Sequence, residues 1–157
     1  GAEYKKGNFD FRLSTATVEV ESSVFTPLEG VKRTLMVLRG EMTLKHEGQH
    51  TKKLAAFDQD KFNGGWTTYS QGTCVDFNLM CKGETTGALK HHSISVDSTL
   101  KLESASAKKL VYFYQGRAKV NGSTIHAGDL LLFDNAITLE ALETVECILI
   151  EVDGITA

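Results

Sequence analysis

Arg12, Ser14, Arg33, Asp60, Asp76 and Asn78 have the side chains best suited to recognising a small polar anion. An arginine fork can hold a carboxylate through paired hydrogen bonds, and an asparagine offers both a donor and an acceptor to an amide or imine. All of them sit among apolar neighbours. In Phe11-Arg-Leu-Ser-Thr-Ala-Thr-Val18, Arg12 and Ser14 share strand parity with Ala16, Val18 and Val20. Phe9, Phe11 and Leu13 share the other parity, so both faces of this segment read as buried. Further on, Asp76, Asn78 and Met80 point one way, while Val75, Phe77, Leu79 and Cys81 point the other. A polar group left unpaired on a buried face costs roughly 1–3 kcal/mol. Two arrangements would supply partners. One is an internal ion pair, such as Arg12 or Arg33 with Asp76. The other is a polar pocket at a barrel mouth, with both arginines available to a carboxylate and Asn78 to an amide or imine.

Other chemistry finds less support. The five histidines include no His-x-His. His91 and His92 are adjacent, so a strand turns them to opposite faces. His46 and His50 flank a turn at Gly48 and read as solvated, and His126 falls in a loop. No metal is therefore expected in the interior, and no other cofactor is implied. No nucleophile elbow, phosphate loop or Ser-His-Asp arrangement is present. Cys74, Cys81 and Cys147 are odd in number, lack C-x-x-C spacing and alternate with apolar residues, which predicts buried reduced thiols.

The elements that must position these residues are strands. The chain has 157 residues, 41% apolar and 24% charged, enough for one sizeable core or two small halves that share one. Its net charge is 17 − 20 = −3, which draws it neither to nucleic acid nor to anionic lipid. No apolar run is long enough to cross a bilayer and no signal peptide is evident, so a cytoplasmic protein is expected. The chain starts at Gly1 without Met, so upstream residues are expected to be missing. Short apolar segments between turn signals predict strands near 8–20, 33–39, 42–46, 73–81, 89–96, 98–104, 109–115, 117–121, 130–133, 136–140 and 145–152. Asn121-Gly122 is a strong hairpin signal, and Glu47-Gly48 a weaker one.

The chain also repeats itself. Leu35-Met-Val-Leu-Arg-Gly-Glu-Met-Thr-Leu44 aligns with Val111-Tyr-Phe-Tyr-Gln-Gly-Arg-Ala-Lys-Val120, and Leu54-Ala-Ala-Phe-Asp58 with Ile125-His-Ala-Gly-Asp129. Two copies at a spacing of about 75 residues are too few for a solenoid and suit two barrel halves.

The segment Ile125-His-Ala-Gly-Asp129-Leu-Leu-Leu-Phe-Asp-Asn135 resembles the second motif of cupins. The resemblance implies an all-β, double-stranded β-helix jelly roll with two cupin-like halves, 1–86 and 87–157, packed as one compact unit. Cupins typically hold a metal through two His and a Glu in the first motif and a His in the second. Here the Glu slot falls on Arg33 and Lys109, and the second-motif His slot on Asp60 and Leu131. A cation in a metal-ligand slot repels a metal and attracts an anion.

A closer resemblance is to the HutD/Ves family. It rests on Phe11-Arg-Leu-Ser14-Thr-Ala16-Thr-Val18, Phe25-Thr-Pro-Leu-Glu-Gly30-Val-Lys-Arg33-Thr-Leu35, Phe57-Asp-Gln-Asp60 and Asp76-Phe-Asn-Leu-Met80, in order and at family spacing. The chain departs from the pattern twice. The family's opening Trp and paired glycines are missing ahead of Glu3, and Gln59 replaces the glycine of Phe-x-Gly-Asp. The resemblance favours the pocket over the ion pair, with Arg12, Arg33, Asp60, Asp76 and Asn78 converging and Ser14, Phe25 and Met80 lining it. It implies a metal-free bicupin that binds a small carboxylate-bearing metabolite, such as urocanate or a formyl- or formimino-glutamate, in a regulatory role. Two alternatives stay open: a metal-independent isomerase or lyase, and a structural or partner-binding domain with a vestigial pocket. A homodimer is allowed; nucleic-acid and membrane partners are not expected.

Overall fold

The computed structural model describes residues 10–154, which contain strands and no helix. The strands are β1 (Phe11–Val18), β2 (Ser22–Val24), β3 (Val31–Gly40), β4 (Met42–His46), β5 (Thr51–Leu54), β6 (Gln59–Asn63), β7 (Thr68–Gln71) and β8 (Cys74–Lys82), followed by β9 (Thr86–Ile94), β10 (Thr99–Glu103), β11 (Lys108–Gln115), β12 (Ala118–Val120), β13 (Ser123–Ile125), β14 (Leu130–Phe133), β15 (Ala136–Ala141) and β16 (Val145–Asp153). Among the described residues no helix is long and apolar enough to cross a membrane. Phe9 and the segment ahead of Glu3 lie outside the described residues.

The chain divides into two compact units, one up to Gly87 and one from Ala88 onward. The first holds the sheets β1-β8-β3-β6 and β2-β7-β4-β5; the second holds β9-β16-β11-β14 and β10-β15-β12-β13. Adding eight to each strand number of the first unit gives the order of the second, so the sequence repeat is a repeat of topology. Paired strands run antiparallel. In each unit the inner residues of the two sheets form the core. Leu35, Val37 and Phe62 lie with Met42, Leu44 and Leu54 in the first. Val111, Phe113 and Leu149 lie with Ala118, Leu139 and Ala141 in the second.

The repeat is clearest at the corners. The β3·β8 register shifts between Val37 and Arg39, and the β11·β16 register between Phe113 and Gln115. A glycine follows each shift, Gly40 at φ 88° and Gly116 at φ 87°. There the chain leaves one sheet, and one residue later it enters the other. An added Cβ would stand 2.5 Å from the Thr73 carbonyl oxygen at Gly40, and closer still to that of Thr144 at Gly116. The hairpin expected at Asn121-Gly122 is present, with both residues in the left-handed region.

Two expectations need correction. Strands β2, β5, β6, β7 and β13 were not anticipated. All but β7 are sheet edges, where apolar alternation is weak because one flank meets water. Nor is the first strand buried on both faces. Phe11 and Leu13 are buried, but Arg12, Thr15, Ala16 and Thr17 are exposed, since β1 is itself an edge.

Gly40→Ala and Gly116→Ala should each destabilise the fold by more than about 1 kcal/mol, because both space and backbone conformation oppose a side chain. Gly128→Ala should cost less, since nothing lies within 4 Å of its added Cβ. Urea unfolding of the three variants checks this; equal costs would refute the corner argument.

Candidate functional site

Cross-strand register places the candidate residues in rows on one face of the β1-β8-β3-β6 sheet. Arg12 faces Met80, Met80 faces Arg33, and Arg33 faces Phe62. In the next row Ser14, Asn78, Leu35 and Asp60 lie side by side, and beyond it Ala16, Asp76 and Val37. Leu35, Val37 and Phe62 belong to the core between the sheets, so this is the inner face. It carries two arginines, two carboxylates and an amide where an ordinary sandwich would carry only apolar groups.

Part of this set is joined by hydrogen bonds. Arg33 Nη2 donates to Asn78 Oδ1 at 3.4 Å, and Asn78 Nδ2 donates to Asp76 Oδ1 at 2.6 Å. Among the described residues Arg33 and Asp76 make no direct ion pair; the amide relays between them. The Arg33 guanidinium also lies 5.0 Å from the Phe25 ring centroid and 5.3 Å from that of Phe62, within cation–π range of both. Its Nε is buried without a hydrogen-bond partner in the protein. Burial pushes the Asp76 carboxyl up to about 6, against the hydrogen bond from Asn78 and the attraction of Arg33. Burial likewise pushes the Arg33 guanidinium down, and Asp76 opposes that shift. A hollow of about 300 Å³ borders Arg33 and Phe62 but is lined by Lys32, Thr34, Lys61 and Cys81, whose parity puts it on the outer face of the sheet. The two lysines belong to the outer face, whereas the Arg33 guanidinium is held over Phe25 and Phe62 on the inner one.

The remaining candidates separate from this relay. Arg12 is exposed, while Ser14, Phe25 and Met80 are half-buried. Of these, Phe25 lies beneath the Arg33 guanidinium, and Met80 neighbours Arg33 across the strands. Asp60 is buried but turns to other partners. Its Oδ2 lies 2.7 Å from His46 Nε2 and its Oδ1 2.9 Å from His50 Nε2. The solvated reading therefore fails for His46, which is 2% exposed. His46 ends β4 with inward parity behind Met42 and Leu44, a signal that the proximity of the Gly48 turn obscured. Lys109, at the Arg33 position of the second unit, donates to the Ser106 carbonyl. There Cys147 and Leu149 stand where the first unit has Asp76 and Asn78, so the relay has no counterpart.

The sequence profile of the HutD family matches residues 1–149. HutD from Pseudomonas fluorescens SBW25, whose structure was determined in a formate condition, is 25% identical, with 92% of this chain and 79% of that one covered and a TM-score of 0.73. A conserved protein of unknown function from Pseudomonas aeruginosa PAO1 is 24% identical, with 98% and 85% covered and a TM-score of 0.80. Quercetin 2,3-dioxygenase from Acinetobacter baumannii shares the fold at 10% identity, covering 92% and 71%, with a TM-score of 0.65. The cupin fold expected from the second motif is thereby shown. No curated protein matches the sequence.

The raised Asp76 value links this site to stability. Because the folded carboxyl holds its proton more tightly than the unfolded one, its contribution is fully present below the ordinary carboxylate range. It is lost as pH rises through about 6. The Tm of the wild type relative to Asp76→Asn should therefore rise as pH falls from about 8 to about 4. A difference that stays flat across this range would show that Asp76 is not held in this environment.

Proposed function

The chain belongs to the HutD family, and on that premise we propose that its first unit binds a small carboxylate-bearing metabolite, with Arg33 as the anchoring cation. The observation that carries this reading is the state of Arg33. Its guanidinium is held over Phe25 and Phe62, relayed through Asn78 to Asp76, and has one buried N–H that no protein atom accepts. An arginine fixed in place with an unmet donor suits a planar acceptor. Asn78 would read an amide or imine beside the carboxylate. Urocanate and the formyl- or formimino-glutamates of histidine breakdown carry such pairs of groups, and a regulatory role follows if binding is all that happens. Free, buried cysteines at Cys74, Cys81 and Cys147 suit a reducing, cytoplasmic setting.

One observation favours an alternative. Asp76, with its carboxyl pushed up to about 6, lies in the range useful for proton transfer. A metal-independent isomerase or lyase acting on the same ligand would use it. Incubation with urocanate separates the two readings, since turnover changes the ultraviolet spectrum and binding alone leaves the compound recoverable.

The binding reading is tested by thermal shift and calorimetry with formate, urocanate and formyl-glutamate. A charge-assisted hydrogen bond of roughly 1.5–3 kcal/mol should be lost in Arg33→Ala, weakening binding about ten- to a hundredfold. Arg33→Lys should recover only part of it. If Arg33→Ala binds as well as the wild type, or only destabilises a protein that binds none of the three, Arg33 serves the fold alone.

A further inference from the structure

We propose that His46, His50 and Asp60 form a binding site for a divalent transition-metal ion of the zinc class in the first unit. This does not depend on the carboxylate reading, because Asp60 shares no hydrogen bond with the Arg33–Asn78–Asp76 relay.

The donor atoms converge from three places. His46 ends β4 on the inner face, His50 follows in the turn before β5, and Asp60 stands on the inner face of β6. Their candidate ligand atoms all lie within 4.8 Å of one another. Two imidazole nitrogens and one carboxylate oxygen make up the three-ligand set, with a fourth position open, that zinc and related ions accept. Calcium and magnesium, which prefer oxygen throughout, are disfavoured by the same set.

The surroundings support the ligands. His46 Nδ1 lies 2.8 Å from Thr68 Oγ1. If Nδ1 donates there, Nε2 keeps its lone pair for an ion, the arrangement in which an outer hydrogen bond fixes both tautomer and ring plane. Phe62 packs against the His46 ring at 4.5 Å between centroids, and Trp66 closes another side at 5.7 Å. The His46 and Asp60 side chains are 0% and 5% exposed, whereas that of His50 is 41% exposed. An ion would therefore enter past His50.

The present distances of 2.7 and 2.9 Å are hydrogen-bond lengths. Metal bonds of about 2.0–2.2 Å at tetrahedral angles would set the donors about half an ångström further apart. His50, on the turn that carries Gly48, is the ligand freest to make that move. Only Asp60 falls in a cupin ligand slot, and the two histidines fill none, so this is not the usual cupin centre. In the second unit Leu131 occupies the Asp60 position, and no such group forms among the described residues.

The competing arrangement is a purely structural triad in which the two rings only hold the carboxylate. Tag-free, chelator-treated protein should bind one Zn²⁺ per chain by calorimetry, and Co²⁺ should give visible ligand-field bands at the same stoichiometry. His50→Ala, at an exposed position expected to leave the fold intact, should weaken Zn²⁺ binding at least about tenfold. Asp60→Asn should abolish the Co²⁺ spectrum, while His126→Ala should leave both readouts unchanged. If the wild type binds no stoichiometric Zn²⁺, or if folded His50→Ala binds it as tightly as the wild type, the triad is structural and the proposal fails.

Discussion

The peptide of Val37 sets what the first barrel can hold. Its N–H donates to the Asp58 carbonyl at 3.0 Å, and its own carbonyl accepts the Phe57 N–H at 2.6 Å. That pair of bonds ties β3 to the turn before β6 and so sets the register in which Leu35 faces Asp60 and Arg33 faces Phe62. A slip of one residue would turn Asp60 and Phe62 outward and Gln59 and Lys61 inward, because side chains alternate faces. The Asp58 carboxylate locks the turn by accepting the Ala55 N–H at 2.9 Å. Phe57 carries a positive φ of 68° there, a conformation that glycine adopts more readily. In the second unit the same bonds recur through Phe113, Gly128 and Asp129, with glycine at the strained position.

One frame thus holds two different interiors. The second unit fills the equivalent rows with Leu131, Cys147 and Leu149 and becomes an apolar core. The first keeps Asp60, Asp76 and Asn78 buried, and each of them needs a partner to offset its loss of water. Those partners come from neighbouring rows and from the facing sheet: Arg33 through Asn78, His46 and His50 for Asp60. A polar interior that costs stability in one copy and is dispensed with in the other is more readily explained by a site than by folding.

Much of this was legible in the sequence, and two of the missed strands were hidden by more than their place in the sheets. The repeat and the shared face of Asp76 and Asn78 followed from alternation, and the meeting of Arg33 with them from the family resemblance. Strands β6 and β7 did not, because Asp60, Thr68 and Ser70 occupy inward positions where an apolar residue would have marked a strand. The residues that make the interior chemically interesting erased the pattern that would have revealed its walls. His46 was lost in the same way. Inward parity and a nearby turn pointed in opposite directions, and only the partner across the barrel, Asp60, decides between them.

The two buried carboxylates show how partner chemistry, rather than burial alone, assigns roles. Asp76 is met by a neutral amide, with the nearest cation one residue removed. Desolvation therefore outweighs attraction, and its carboxyl is pushed up to about 6. Such a group can exchange a proton near neutrality and can accept from a ligand's N–H once Asn78 turns to that ligand. Asp60 is met on both oxygens by imidazole nitrogens. That geometry leaves it little freedom to turn toward Arg33, but it brings three donors of mixed type to one point. The inner face therefore carries two neighbouring polar groups, one with a buried donor left unmet and one with its donors converging.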